Sequence, residues 1–403
     1  MAVNLYPPDN LLPVDGVRLS AVAANIRYQG RNDLVLMELA AGSSCAAVFT
    51  KNAFCAAPVI VAREHLGVIS PGYLLINSGN ANAGTGEAGM KAARQTCVAL
   101  ADLVDCQAES VLPFSTGVIG EQLPVECFSV ALPAAIEGLG ADNWQAASAG
   151  IMTTDTLPKA MSRQVVLSEG TVTITGMSKG SGMIHPDMAT MLAYIATDIS
   201  VGSSQLQEIL LEVVDETFNC ITVDGDTSTN DALVLVATGK SGVKASVGAD
   251  LVTFKRALQE VCLYLAQAIV RDGEGATKFI SIDVEEASDR AEARVVGNTV
   301  ALSPLVKTAM FASDPNWGRI LMAIGRSAVV DLDVSLVTVW LGDTLLVEKG
   351  QPAASYTEVL GKREMSQDEI KVRISLGRGS AKASIWTCDF SYDYVKINAE
   401  YRS

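Results

Sequence analysis

Histidine is almost absent from this chain: His65 and His185 are the only two among 403 residues. That leaves little material for a His-ligated zinc centre and at most two candidates for the base of a Ser-His-Asp triad. The eight cysteines include no close CxxC pair. Several, such as Cys97 in "RQTCVALADL" and Cys262 in "EVCLYLAQ", sit in apolar surroundings. They read as small buried hydrophobes of a reducing cytosol. No apolar run approaches the roughly 18 residues of a membrane span. The opening "MAVNLYPPDNLLPVDG" has neither the basic region nor the apolar core of a secretory signal. A membrane partner is therefore not expected, and a cytoplasmic location is. Basic charge is also scarce, with 30 Lys and Arg against 45 Asp and Glu, for a net charge of -15. No basic stripe is on offer to a phosphate backbone, so a nucleic-acid partner is not expected.

Apolar residues are plentiful, at 49% of the chain, enough to bury a sizeable core. Residues 17–60 mix alternating and apolar stretches ("LVLMELA", "CAAVFT", "APVIVA") and read as strand-rich. Strands running into loops are expected at "YLLINSGNANAGTGEAG" and "SVLPFSTGVIG", and a strand at "VTITG". Met90, Ala93, Cys97, Leu100 and Leu103 recur at helical spacing. The short run Met191 to Ile195 suits a strand buried on both faces. Ser204 with Gln207 reads as a capping box, opening a helix whose inner stripe is Leu206, Ile209, Leu210, Val213 and Val214. A second helix spans about Leu251 to Val270. Beyond residue 285 the texture changes to a helix-prone region through "SPLVKTAMFASDPNWGRILMAIG" and then to strands. "EIKVRISL" and "KASIWTCDF" read as a hairpin around Gly377 to Gly379. The pattern is mixed α and β with helices covering sheets, divided as residues 1–284 and 285–403.

Taken singly, the candidate sites are ambiguous. "SGNANAGTG", residues 78–86, fits neither the Walker pattern nor the dinucleotide fingerprint. "VDGDTSTND" offers Asp224, Asp226 and Asp231 but lacks the spaced ligands and closing Glu of a calcium loop, so no metal is expected. His65, in "AREHLG", reads as a surface turn. His185 is either a base or a residue that shapes its loop. Thr190, in "GMSKGSGMIHPDMATMLAYIATD", is either ordinary punctuation before a buried run or a nucleophile. A threonine hydroxyl needs a base within hydrogen-bonding reach. Breaking the bond before Thr190 would supply one, the residue's own α-amino group. Ala189 is small and leaves its carbonyl accessible, and Gly180, Ser181 and Gly182 let the loop bend.

"KGSGMIHPDMATMLAYIATD" closely resembles the junction of the ornithine acetyltransferase, or glutamate N-acetyltransferase, family. "INSGNANAGTG", "PFSTGVIG", "MTTDT", "FNCITVDGDTSTND", "ASDPNWGR" and "YVKINAEYRS" resemble that family's other blocks, in order and from end to end. The resemblance implies a layered α/β/β/α sandwich with a smaller C-terminal α+β region. It implies self-cleavage between Ala189 and Thr190, giving chains 1–189 and 190–403, with two such pairs forming an α2β2 heterotetramer. Thr190 would take an acetyl group from N2-acetylornithine and pass it to glutamate in arginine biosynthesis. The Thr116 hydroxyl and the Gly117 N–H would form the oxyanion hole, and Thr153, Lys179, Thr190, Glu274, Asn398 and Ser403 would contact substrate. Thr154 is as well suited as its neighbour Thr153. No cofactor is implied, although acetyl-coenzyme A is an expected alternative donor in part of the family. The rival reading is a self-processing aminopeptidase or amidohydrolase of the same fold. Such enzymes generally use serine, so Thr190 argues against it.

Overall fold

The computed structural model describes residues 2–185, 191–245 and 247–400. These residues form two compact units. One comprises 7–219 with 226–269, and the other 2–6, 220–225 and 270–400.

The first unit holds nine strands and six helices among the described residues: β1 (Val17–Val22), β2 (Leu34–Leu39), β3 (Ser44–Phe49), α1 (Ala57–Leu66), β4 (Tyr73–Asn80), α2 (Gly86–Val104), β5 (Val111–Val118), α3 (Val125–Glu137), α4 (Trp144–Gly150), β6 (Lys159–Leu167), β7 (Gly170–Lys179), β8 (Leu192–Thr197), α5 (Ser203–Glu216), β9 (Ala232–Ala237) and α6 (Gly248–Arg271). They build two sheets, ordered β1-β2-β4-β5 and β3-β9-β8-β7-β6. The sheets share one core. Leu19, Met37, Leu74, Ile76 and Phe114 come from the first, and Met177, Leu192, Tyr194 and Val234 from the second. Phe114 meets Tyr194 edge-on across the layer, with ring centroids 5.4 Å apart. The outer face of the first sheet is covered by α1, α2 and α3 through Val61, Ala93, Cys97, Leu100, Phe128 and Leu132. On the second sheet α6 approaches so closely that a side chain at Gly176 would sit 3.0 Å from Leu265 Cδ1. The result is an α/β/β/α sandwich.

Several local features differ from expectation. "APVIVA" is the first half of α1, not a strand. Pro58 suits a helix's first turn, and Val59, Val61 and Ala62 bury one face. His65 lies near the end of that helix, 5% exposed, with Nδ1 2.8 Å from the Val111 carbonyl, and is not on a surface turn. Gly202, not Ser204, occupies the cap position of α5. Gln207 instead reaches the edge strand β3, accepting from Ala47 N at 3.1 Å and donating to Ala47 O at 3.2 Å. A side chain thereby completes two backbone bonds that the sheet edge leaves open.

The second unit holds β10 (Phe279–Ala287), α7 (Arg290–Ala301), α8 (Pro304–Phe311), α9 (Trp317–Gly325), β11 (Thr338–Leu341), β12 (Thr344–Glu348), β13 (Gln351–Pro352), α10 (Glu358–Met365), β14 (Glu369–Ser375), β15 (Ala381–Cys388) and α11 (Tyr392–Ala399). Its sheet runs β13-β12-β11-β14-β10-β15. The expected hairpin is therefore not formed, because β10 lies between its two strands, parallel to β14 and antiparallel to β15. Alternation marks each strand but does not name its partner. Arg378 and Gly379 N–H groups both bond the Glu286 carbonyl, so the turn closes over the end of β10. No helix among the described residues is long and apolar enough to cross a membrane.

Candidate active site

In the first unit, two sequence-selected hydroxyls meet the ammonium group of a third sequence-selected residue. Lys179 ends β7 at 9% exposure, and its Nζ donates to Thr116 Oγ1 at 3.2 Å and to Thr153 Oγ1 at 2.8 Å. Thr153 is thus the member of the Thr153–Thr154 pair that meets Lys179. Because Thr116 accepts from the ammonium, its own O–H remains a donor, and the neighbouring positive charge strengthens it. Lys179 pairs across the sheet with Leu192, two residues beyond Thr190.

Gly117 follows Thr116 in β5, at φ +136°. The β4–β5 ladder is irregular there, Asn80 pairing with both Thr116 and Val118. A Cβ on Gly117 would stand 2.2 Å from the Gly79 carbonyl carbon. Only glycine fits, and the bulge turns this peptide unit away from regular strand geometry.

The residue that organises this corner, Asp155, was not singled out as a site residue, although it stands in the middle of "MTTDT". Its Oδ1 accepts from Lys159 Nζ at 2.6 Å and from Gly180 N at 2.7 Å, and its Oδ2 from Thr153 N at 3.0 Å. Both ends of the Asp155–Lys159 pair have side chains with 0% exposure. Burial alone would raise the Asp155 carboxyl. The ammonium groups of Lys159 and Lys179 and the Gly180 N–H outweigh it and hold Asp155 well below the ordinary carboxylate range. One carboxylate fixes the Thr153 loop and the end of β7 together. The sequence signal was weak: an aspartate four residues before a lysine usually reads as a solvated pair.

The acidic loop behaves differently. Burial pushes the Asp231 carboxyl well above its usual range, with Ser228 and Lys179 offsetting only part of the effect. Among the described residues no group of three or more His, Cys, Asp or Glu side chains is placed to hold a metal ion.

Glu274 and Asn398 lie in the second unit and are hydrogen-bonded there, Asn398 Nδ2 donating to Glu274 Oε2 at 2.8 Å. Glu274 is 6% exposed, whereas Asn398 sits on the open surface of α11. The next residue, Gly275, has φ +70°, and a side chain there would stand 2.5 Å from Tyr394 N. Ser391 caps α11 and also donates to the Gly275 carbonyl at 2.6 Å, locking that turn to the helix. His185 is half-buried. Ala189, Thr190 and Ser403 lie outside the described residues.

A family model described as the ArgJ family matches residues 18–403. A Methylococcus capsulatus protein named arginine biosynthesis bifunctional protein ArgJ is 56% identical over 395 residues, covering 98% of this chain and 97% of that one. A Pseudomonas fluorescens protein of the same name is 54% identical over 406 residues, covering 100% of both chains. The crystal structure of an arginine biosynthesis bifunctional protein ArgJ from Bacillus halodurans aligns at 39% identity and a TM-score of 0.51. It covers 53% of this chain and 100% of that one.

Proposed function

Because the chain belongs to the ArgJ family, we propose that it moves the acetyl group of N2-acetylornithine to glutamate through an acetyl ester on Thr190. It first cuts itself between Ala189 and Thr190. Acetyl-coenzyme A serves as a second donor to the same hydroxyl, a reading supported by the word "bifunctional" in the names of the relatives. No metal or prosthetic group takes part in this scheme.

The chemistry needs one nucleophile and one oxyanion site, used repeatedly. In self-cleavage the Thr190 hydroxyl adds to the Ala189 carbonyl, the C–N bond breaks, and water opens the resulting ester. The freed α-amino group then takes the proton of the Thr190 hydroxyl as that oxygen attacks the acetyl carbonyl of the donor. It returns the proton to the departing ornithine amine. Glutamate's amine attacks the acetyl ester in the second half and leaves as N-acetylglutamate. Each addition puts negative charge on one oxygen, for which the Thr116 O–H and the Gly117 N–H are the assigned donors. Lys179 polarises Thr116 and offers a cation to the α-carboxylate shared by both substrates. Thr153 lines the same corner. Glu274 with Asn398 is assigned to the ammonium of the donor, and Ser403 to substrate contact.

The observation that carries this reading is the Lys179 ammonium, buried and shared between the hydroxyls of Thr116 and Thr153. The second sheet accounts for how the two pieces stay together after the cut. Its order places β9 and β8, which follow Thr190, between β3 on one side and β7 and β6 on the other, all of which precede it. Two pieces interleaved in this way stay joined by six backbone pairs between β7 and β8 alone, and two such pairs form the α2β2 assembly.

Ornithine release measured with and without glutamate tests the function. Release that requires glutamate, or acetyl-coenzyme A plus glutamate giving N-acetylglutamate, is expected. Release at the same rate without an acceptor would mean a hydrolase instead. Thr190→Ala should abolish both cleavage and turnover.

A further inference from the structure

Asn230, in the loop before β9, is 5% exposed and belongs to the piece that follows the proposed cut. Its Nδ2 donates to the Ser115 carbonyl at 2.9 Å and to the Ala81 carbonyl at 2.6 Å. Carbonyls only accept, so the amide's NH2 end must face them, and its oxygen accepts from Thr229 Oγ1 at 2.6 Å. The Ser115 carbonyl belongs to the peptide unit that carries the Thr116 nitrogen. Ala81 directly follows Asn80, the residue whose doubled pairing makes the bulge around Gly117. One amide therefore grips both walls of that bulge. Inside it, Ser115 Oγ donates to Asn77 Oδ1 at 2.6 Å, and Asn77 Nδ2 donates to the Asn80 carbonyl at 2.9 Å.

We propose that Asn230 is a positioning residue for the Thr116–Gly117 oxyanion donors, set from the opposite sheet and from the other cleavage piece. The proposal rests on the oxyanion role assigned above. Oxyanion donors act through fixed placement, and Ser115, Asn77, Asn80 and Asn230 are all at least nine-tenths buried. The arrangement makes the reactive geometry of the first piece depend on the second, so the donors hold their places only while both pieces stay in one sandwich.

Asn230→Asp preserves volume and removes both N–H donors. Steady-state kinetics with acetylornithine and glutamate, normalised to the cut fraction on a denaturing gel, should show kcat falling roughly 10- to 100-fold while KM stays within about threefold. That is the pattern of a lost transition-state interaction. Thr116→Ala in the Asn230→Asp background should cost less than the product of the two separate losses, because both act on one unit. A kcat within about twofold of wild type, beside a Thr116→Ala loss of about a hundredfold, overturns the proposal while leaving the oxyanion assignment intact. Thr116→Ala without effect removes that assignment, and the proposal falls with it. If Asn230→Asp does not fold, Thr229→Val frees only the amide oxygen. It should lower kcat about two- to fivefold at unchanged KM, and an unchanged kcat overturns the proposal.

Discussion

Two deeply buried lysines, one in each unit, show how differently the same side chain can be used. Lys179 in the first unit gives its protons to two hydroxyls, and each hydroxyl keeps a proton of its own to offer. Lys307 in the second unit is 1% exposed and spends its donors on Thr387 Oγ1, at 2.9 Å, and on the Cys388 carbonyl. It lies over the Phe390 ring, with Nζ 4.5 Å from the centroid. Burial pulls the Lys307 ammonium below its usual pKa, with Cys388, Asp389 and Asp224 opposing that pull. Burial likewise pushes the Cys388 thiol up to about 11, against the pull of the Lys307 ammonium. Lys307 ties α8 to the end of β15. Burial of a lysine is therefore no mark of a site by itself. What separates the two is whether the partners can still act on something else.

If that distinction is right, Lys179→Met gives the largest effect. It should lower kcat/KM by at least about a hundredfold, as for loss of an oxyanion-stabilising group, with a small change in melting temperature because Asp155 keeps Lys159. Asp155→Asn comes next and should affect both rate and stability. It leaves Lys159 buried without its counter-charge, costing about 3 kcal/mol in denaturant unfolding, and displaces Thr153 and Lys179, costing roughly tenfold or more in kcat/KM. The pH dependence has a definite sign. The folded-state pKa of Asp155 lies below the unfolded value of 3.8, so its stabilising contribution is complete above about pH 5 and drains as the pH falls below about 4. The Asn variant should lack that part of the acid-limb slope.

Lys307→Met should cost about 1–2 kcal/mol of stability through the abandoned Thr387 and Cys388 acceptors and leave kcat/KM within about twofold. A large kinetic loss there would erase the contrast. Gln207→Ala should be the mildest change. It removes the two bonds to Ala47 at the edge of β3, costs about 1 kcal/mol in unfolding, and leaves the kinetics unchanged.

Much of the first unit was legible in the sequence because its signals are local. The inner stripe of α5 matches residue for residue, and β8 is buried on both faces as an unbroken apolar run suggests. Failures came where partners are distant. The β14–β15 hairpin looked right by alternation and turn, but β10, some 90 residues upstream of the turn, takes the place between them. Ser204 and Gln207 had the spacing of a capping box, yet Gln207 found a better use 160 residues away. Thr116, Gly117 and Lys179 were visible through the resemblance of whole motif blocks. Asp155 and Asn230 stand inside the same blocks without a local signal of their own: Asn230 bonds backbone carbonyls more than 100 residues away, and Asp155 looks like one half of a solvated i,i+4 pair until the fold buries it against Gly180.

The central claim is that the hydroxyl of Thr190 becomes reactive when the bond on its N-terminal side is cut. N-terminal sequencing of active, freshly purified protein tests it most directly. The account predicts a fragment beginning Thr-Met-Leu-Ala, in amounts equal to the active-site count. Active protein that yields only the uncut 403-residue chain would contradict it.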